Sequence, residues 1–168
     1  MRAYVALGSN LDDPAAQVRA GAQALGKLPG TRLVRCSSLY RTAPVGITEQ
    51  PDFINAVCAV DTGLPAATLM QALLDIERAH GRQRDISGGP RTLDLDLLLY
   101  GDQVCHEPGL TLPHPRLHER AFVLYPLSEI APGLSIPGRG QVEILRAGCA
   151  GQAIERLAER IYDTDEHR

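Results

Sequence analysis

Residues 90–101 read PRTLDLDLLLYG, an apolar stretch interrupted by two carboxylates, Asp94 and Asp96. Leucine-rich runs of this length, bounded by proline and glycine, are typical of buried β-strands. Successive side chains of a strand point to opposite faces, so the two carboxylates share one face. Like charges beside an apolar core are costly unless a cation or hydrogen bonds compensate them. The stretch therefore predicts a metal site, and oxygen-only ligands favour a hard ion such as Mg²⁺.

The sequence on either side of this strand predicts alternating strands and helices. Glycine, proline and apolar periodicity indicate strands over 2–7, 33–40 and 53–60, and helices over 14–28 and 64–81. The order strand, helix, strand, strand, helix, strand is the split β-α-β pattern of a ferredoxin-like α+β sandwich with an antiparallel sheet. Beyond Gly101 we expect a helix near 119–130 and an amphipathic helix over 152–161.

Composition restricts the class of protein. The chain has 168 residues, 44% hydrophobic and 22% charged, which predicts one soluble globular domain over 1–168. A net charge of -3 without a basic run gives no reason to expect nucleic-acid binding, and no apolar run predicts a membrane span. The four cysteines form no C-x-x-C pair, so we expect reduced thiols and a cytoplasmic protein, taken to be a monomer.

Three arginines precede the aspartate pair: Arg82, Arg84 and Arg91. Guanidinium groups bind phosphate oxygens in bidentate fashion, and a divalent ion bridges the same oxygens, so this combination suits a polyphosphate. Alternatively, Arg91 only neutralises Asp94 and the other two arginines are solvated. Since the chain has neither a Walker A sequence nor G-x-G-x-x-G, a nucleotide site here would lack a phosphate-binding loop.

Other polar and aromatic residues offer two interpretations each. His114 stands between two prolines, with Arg116 and Arg120 close behind, and either contacts a phosphate or is simply exposed. Phe53 and Phe122, the two phenylalanines of the chain, are either core residues or hold a flat heterocycle whose edge an amide such as Asn55 would read.

Several ordered stretches resemble the family of 6-hydroxymethyl-7,8-dihydropterin pyrophosphokinases (HPPK). The stretches are ALGSNL at 6–11, SLYRTAP at 38–44, QPDFINA at 50–56, GPRTLDLD at 89–96 and PHPRL at 113–117. The resemblance implies the HPPK-type ferredoxin-like sandwich and a reaction of folate biosynthesis. ATP would donate its β,γ-pyrophosphoryl group to the pterin hydroxymethyl oxygen and leave as AMP, with two Mg²⁺ ions on Asp94 and Asp96.

The same resemblance implies roles for residues at matching positions. The catalytic residues would be Arg82, Arg91, Asp94, Asp96 and Arg120. The pterin would contact Thr42, Ala43, Pro44, Val45, Phe53, Asn55 and Phe122. ATP would contact Gln71, Glu77, Arg82, Arg84, Arg91, Leu97, His114 and Arg116.

One segment departs from the family pattern. Before Gly-Pro-Arg the family commonly has an arginine followed by an aromatic residue, whereas residues 85–89 read DISGG, in a loop that is about one residue shorter. Loss of a large side chain and gain of Gly88 predict a more mobile cover over the site. The altered loop leaves open a catalytically impaired ferredoxin-like module that binds pterin or nucleotide. A separate alternative is an ordinary kinase that moves one phosphoryl group and releases ADP.

Overall fold

The computed structural model describes residues 1–43, 50–80 and 92–161. The first five strands and two helices are β1 (Arg2–Ser9), α1 (Pro14–Gly26), β2 (Thr31–Cys36), β3 (Ser38–Thr42), β4 (Phe53–Thr62), α2 (Ala66–Ala79) and β5 (Asp94–Tyr100). They are followed by β6 (Cys105–Glu107), β7 (Leu110–Leu112), a 3₁₀ turn (Leu117–Glu119), α3 (Ala121–Ile130), β8 (Ser135–Ile136), β9 (Gly140–Gln141), α4 (Val142–Ala147) and β10 (Ile154–Arg160).

Within residues 1–43, 50–80 and 92–161 the main sheet has six strands, and every pair among them is antiparallel. The order is β10-β3-β4-β1-β5, and β2 also pairs with β4. The predicted α+β class with an antiparallel sheet is therefore confirmed. In the described part of the chain, no helix is long and apolar enough to cross a membrane.

Each face of the sheet packs on its own hydrophobic core. The helix-side core lies under α1 and α2 and includes Leu7, Leu25, Leu69, Leu73, Leu95 and Leu97. The α3-side core lies under α3 and includes Ala6, Val57, Leu98, Leu124, Leu127 and Val142. Because side chains alternate along β5, Leu95 and Leu97 enter the helix-side core while Asp94 and Asp96 face the α3 side.

The first helix begins where the sequence predicts. Pro14 is its first residue, and the Asp13 carboxylate accepts a hydrogen bond from the Ala16 backbone N–H at 3.5 Å. Proline suits this position because its missing N–H would have no partner within the helix. In α2 the apolar positions Leu69, Leu73 and Ile76 are buried as expected.

The strand predicted over 33–40 is two strands, β2 and β3, separated at Ser37. The Ser37 N–H donates to the Val57 carbonyl at 2.9 Å, and the Ser37 hydroxyl accepts from the Val57 N–H at 3.0 Å. A side chain thus replaces one backbone partner of the ladder. As a result, β2 pairs with the second half of β4 and β3 with its first half.

The helix predicted over 152–161 is wrong, because the segment forms strand β10 on the edge of β3. Ile154 and Leu157 are three residues apart, a spacing that places both on one helix face. In the strand they point to opposite faces: Ile154 packs on the α3-side core and Leu157 on the helix-side core. The unpaired edge of β3 therefore determines the structure here. The short helix α4 was not predicted, whereas α3 confirms the helix expected near 119–130.

Candidate active site

One row of residues crosses four strands of the main sheet. Tyr40 of β3 lies opposite Asn55 of β4, Asn55 opposite Gly8 of β1, and Gly8 opposite Asp94 of β5. Neighbouring strands are about 4.8 Å apart, so the backbones of Asn55 and Asp94 are about 10 Å apart. All four positions belong to the α3 side of the sheet. The row therefore has an amide and a carboxylate on either side of a position without a side chain.

The amide of Asn55 lies above Gly8. A Cβ atom at Gly8 would be only 2.9 Å from Asn55 Oδ1. Asn55 Nδ2 donates to the Thr42 hydroxyl at 2.7 Å, and both side chains are buried. Because Nδ2 is engaged, Oδ1 is the atom that can accept a hydrogen bond from a ligand N–H group. Neither Gly8 nor Tyr40 of this row is predicted as a site residue from the sequence. Gly8 stands in the stretch ALGSNL, but its role depends on the strand register, which local sequence does not show.

The two phenylalanines lie at different elements of this α3 side. Phe53 begins β4 opposite Thr42, two residues before Asn55 and therefore on the same face. The segment before it is tied to β1, since Asn10 Nδ2 donates to Gln50 Oε1 at 2.9 Å and to the Pro51 carbonyl at 3.0 Å. Phe122 is the second residue of α3 and packs partly on the α3-side core. Both rings are half-buried, as residues that bind a flat heterocycle are.

Asp94 and Asp96 occupy alternate positions of β5 and are half-buried. Their partners across β1 are Gly8 and Ala6, two small residues that leave space beside the carboxylates. Mg²⁺ in nucleotide enzymes is held by one or two carboxylates together with substrate phosphates and water. The donor set of this pair fits such an ion, although no cluster of three or more ligating side chains occurs within the described residues.

Glu77 connects α2 to the strand that carries the aspartates. Its side chain is buried, with 2% exposure, and Oε2 accepts a hydrogen bond from the Leu95 N–H at 2.6 Å. Leu95 lies between Asp94 and Asp96, so this bond holds the backbone between them. A charge-assisted bond to a buried carboxylate is among the stronger ones in proteins.

His114, in the segment after β7, is also hydrogen-bonded to β5. Its N–H donates to the Leu98 carbonyl at 2.9 Å, and its Nδ1 accepts from the Arg116 N–H at 3.2 Å. With Nδ1 as acceptor, the neutral ring carries its proton on Nε2. Burial lowers the pKa of His114, and the charges of Arg120 and Arg116 lower it further, while Asp94 acts in the opposite direction. At neutral pH the ring is therefore an uncharged Nε2–H donor.

Arg120 is the residue immediately before α3. Its guanidinium carbon lies 5.4 Å from the centroid of the Phe122 ring, a cation–π contact. Its charge also reaches His114, whose pKa it lowers. Arg120, Phe122 and His114 are therefore close enough to form one wall of the site.

Other predicted contacts lie elsewhere or outside the described residues. Pro44, Val45, Arg82, Arg84 and Arg91 are not among the residues described. Ala43, Gln71 and Arg116 are exposed; Gln71 donates to Asp75 at 3.0 Å, and Arg116 pairs with Glu119 at 3.5 Å. Leu97 is 1% exposed and packs in the helix-side core, away from the face that carries Asp94 and Asp96.

Comparison with known proteins identifies similar sequences over most of the chain. Residues 4–132 match the family model described as 7,8-dihydro-6-hydroxymethylpterin-pyrophosphokinase (HPPK). A 2-amino-4-hydroxy-6-hydroxymethyldihydropteridine pyrophosphokinase of Pseudomonas aeruginosa is 49% identical, over 93% of this chain and 96% of its own. The protein of the same name from Haemophilus influenzae is 46% identical, over 80% of this chain and 84% of its own.

Solved structures show the same fold at low sequence identity. The crystal structure of wild-type Plasmodium falciparum HPPK-DHPS has a TM-score of 0.69 and 13% identity, covering 88% of this chain and 44% of that chain. At this identity the likeness concerns the fold alone.

Proposed function

Because this chain belongs to the 7,8-dihydro-6-hydroxymethylpterin-pyrophosphokinase family, we infer that it transfers a pyrophosphoryl group from ATP to 6-hydroxymethyl-7,8-dihydropterin. The hydroxymethyl oxygen of the pterin forms a bond to the β-phosphorus of ATP, and the bond from that phosphorus to the AMP oxygen breaks. The hydroxyl proton is lost, and the products are AMP and the pterin diphosphate of folate biosynthesis.

The row Asn55, Gly8 and Asp94 is the observation that carries this proposal in the structure. An amide that reads a heterocycle and a carboxylate that binds a metal–phosphate group stand about 10 Å apart, with a glycine between them. A pterin held at Asn55 would thus extend its hydroxymethyl group toward the phosphates at Asp94. Holding two reactants in this geometry provides much of the acceleration in phosphoryl transfer.

We propose that Asp94 and Asp96 hold two Mg²⁺ ions. When bound, magnesium neutralises charge on the phosphate oxygens. The residues themselves supply the site: Gly8 and Ala6 leave it open, and Glu77 holds the backbone of the strand.

The phosphates of ATP would be bound by cationic and neutral donors near β5. His114 offers Nε2–H and Arg116 offers a guanidinium group, and Arg82, Arg84 and Arg91 are expected to add to them. Arg120 is proposed as a further catalytic arginine. Gln71 and Glu77 of α2 are proposed beside the nucleotide, with Glu77 acting through Leu95. For Leu97, only the backbone is accessible to a ligand because its side chain is buried.

The pterin would lie between Phe53 and Phe122, with its edge hydrogen-bonded to Asn55. Thr42 positions the Asn55 amide through its hydroxyl group. Ala43, Pro44 and Val45 are expected to complete the contacts. Aromatic faces on both sides favour a flat ring over a flexible substrate.

The nucleotide product tests the reaction. Purified protein is mixed with ATP, Mg²⁺ and the pterin, with a control that lacks pterin, and the nucleotides are separated by chromatography. Pterin-dependent AMP in equal amount to the pterin diphosphate is expected. ADP would instead indicate transfer of one phosphoryl group, and binding of both substrates without turnover would indicate the impaired binding module.

Three further properties remain proposals with simple tests. A single domain over 1–168 predicts one cooperative unfolding transition. Ultracentrifugation tests whether the protein is a monomer, and cell fractionation tests its cytoplasmic location.

A further inference from the structure

Gln152 interacts with the backbone on both sides of Arg120. Its Oε1 accepts from the Ala121 N–H at 3.0 Å, and its Nε2 donates to the Glu119 carbonyl at 2.7 Å. Arg120 has an extended backbone, φ -116° and ψ 112°, and no side chain of its own caps α3. One amide group thus takes the place of a helix cap and holds the residue between its two bonds.

The chain that carries Gln152 is itself anchored at both ends. Before it, the Gln152 N–H donates to the Cys149 carbonyl at 3.0 Å, in the turn after α4. After it, Ile154 pairs with Thr42 as β10 begins. Thr42 in turn pairs with Phe53 and accepts the hydrogen bond of Asn55.

We propose that Gln152 is a positioning residue that sets Arg120 and Phe122 relative to the sheet. The segment 152–154 makes contacts at both ends. The Gln152 side chain binds the start of α3, and Ile154 pairs with Thr42, which pairs with Phe53. The segment therefore connects the two aromatic walls, whose separation must match the thickness of a flat ring. This proposal rests on the proposed roles of Arg120, Phe53 and Phe122.

The test compares Gln152→Leu, which removes both hydrogen bonds, with the wild type. Gln152 is an exposed residue, so the variant leaves no cavity and is expected to keep the fold. Pterin affinity measured by calorimetry and kcat are each expected to fall about fivefold or more, the equivalent of one or two lost hydrogen bonds. Affinity for a non-hydrolysable ATP analogue is expected to stay within about twofold, because β5 is unchanged.

Two further variants make the test specific. Gln152→Glu keeps an acceptor for Ala121 but loses the donor to Glu119, so an intermediate defect is expected. Gln141→Leu makes the same change at another exposed glutamine, in β9, and is expected to behave as the wild type. Equal loss of pterin and ATP-analogue affinity in Gln152→Leu would indicate general disruption and overturn the proposal.

Hydrogen exchange at the Ala121 amide provides a measurement that does not depend on activity. Exchange is expected to be faster in Gln152→Leu at unchanged global stability; unchanged exchange would overturn the proposal. If the wild type forms no AMP, the proposed function fails, but pterin affinity and Ala121 exchange still decide the role of Gln152. If Gln152→Leu shows faster Ala121 exchange but wild-type pterin affinity, the proposed positioning role of Gln152 is also overturned.

Discussion

At the scale of single residues, the site depends on the absence of a side chain at Gly8. Any side chain at this position would approach Asn55 Oδ1 to 2.9 Å, too close for a carbon–oxygen contact. Asn55 cannot simply rotate, because the Thr42 hydroxyl holds its other amide atom. Glycine is therefore required at this position because the Asn55 side chain lies so close to it, and not because of the backbone angles of Gly8.

We expect Gly8→Ala to weaken pterin binding about fivefold to tenfold, since the Asn55 amide must move and loses about one hydrogen bond. Binding of the ATP analogue should change little, because Ala6, opposite Asp96, already places a methyl group beside the proposed Mg²⁺ site. Calorimetric titration of both ligands measures this. Gly133→Ala is the matched control, because a Cβ there meets nothing within 4 Å; equal effects of the two variants would contradict the role of Gly8.

The two aspartates carry the second residue-scale prediction. Asp94→Asn and Asp96→Asn should each lower kcat by about 100-fold or more, because each removes one negative charge from the proposed Mg²⁺ site. Steady-state rates over a Mg²⁺ titration measure the effect, while thermal unfolding should show a retained fold. Asp102→Asn, at an exposed aspartate just after the same strand, should retain activity; near-normal rates in the two site variants would refute the metal assignment.

At the scale of elements, Glu129 joins α3 to two strands. Its half-buried carboxylate accepts from the Ser38 N–H at 3.0 Å, the Ser38 hydroxyl at 2.9 Å, the Tyr40 hydroxyl at 2.8 Å and the Arg156 guanidinium at 3.2 Å. Burial and this carboxylate raise the pKa of Tyr40, so its hydroxyl remains a donor. The helix, β3 and β10 thus share one polar junction.

We expect Glu129→Ala to lower the free energy of unfolding by about 3 kcal/mol, because several donors lose a charged partner. Urea unfolding monitored by circular dichroism measures this. Glu129→Gln should cost less, since an amide oxygen still accepts, and Glu143→Ala on the exposed face of α4 should cost almost nothing. A loss below about 1 kcal/mol would mean that the junction contributes little.

Elements also show what local sequence can and cannot predict. Asp13-Pro14 and the alternation around Asp94 and Asp96 are local signals, and the helix start and the shared face they predict are both observed. The sequence of β10 also fits an amphipathic helix, and only its pairing with the distant edge of β3 distinguishes the two. Gln152 was not recognised for the same reason: its hydrogen bond to Ala121 joins residues 31 positions apart.

At the scale of the whole molecule, the two hydrophobic cores differ in what they pack against. The helix-side core holds α1 and α2 on the sheet, whereas the α3 side combines packing with the residues of the candidate site. Polar groups such as His114 are therefore half-buried in the folded protein and exposed in the unfolded chain. This difference connects the pH of the solution to the stability of the fold.

We expect His114 to make the ligand-free protein less stable at acid pH. Its folded pKa is lowered, first by burial, from an unfolded value of about 6.5. Below the unfolded pKa, the unfolded state therefore binds more protons at His114 than the folded state does. The free energy of unfolding is highest above the unfolded pKa and decreases as the pH falls through the folded pKa. Urea midpoints at pH 7.5 and about pH 5.5 should differ less in His114→Gln than in the wild type. His106→Gln, at an exposed histidine, should retain the wild-type difference.

The contacts that hold β5 in place also protect the protein from self-association. β5 ends the strand order of the described sheet, and the backbone groups on the outer edge of such a strand can pair with a strand of another chain. On that outer edge, Glu77 occupies the N–H of Leu95 and the His114 backbone occupies the carbonyl of Leu98. A strand from another molecule would have to displace both, so the groups that organise the site also act as a barrier to aggregation.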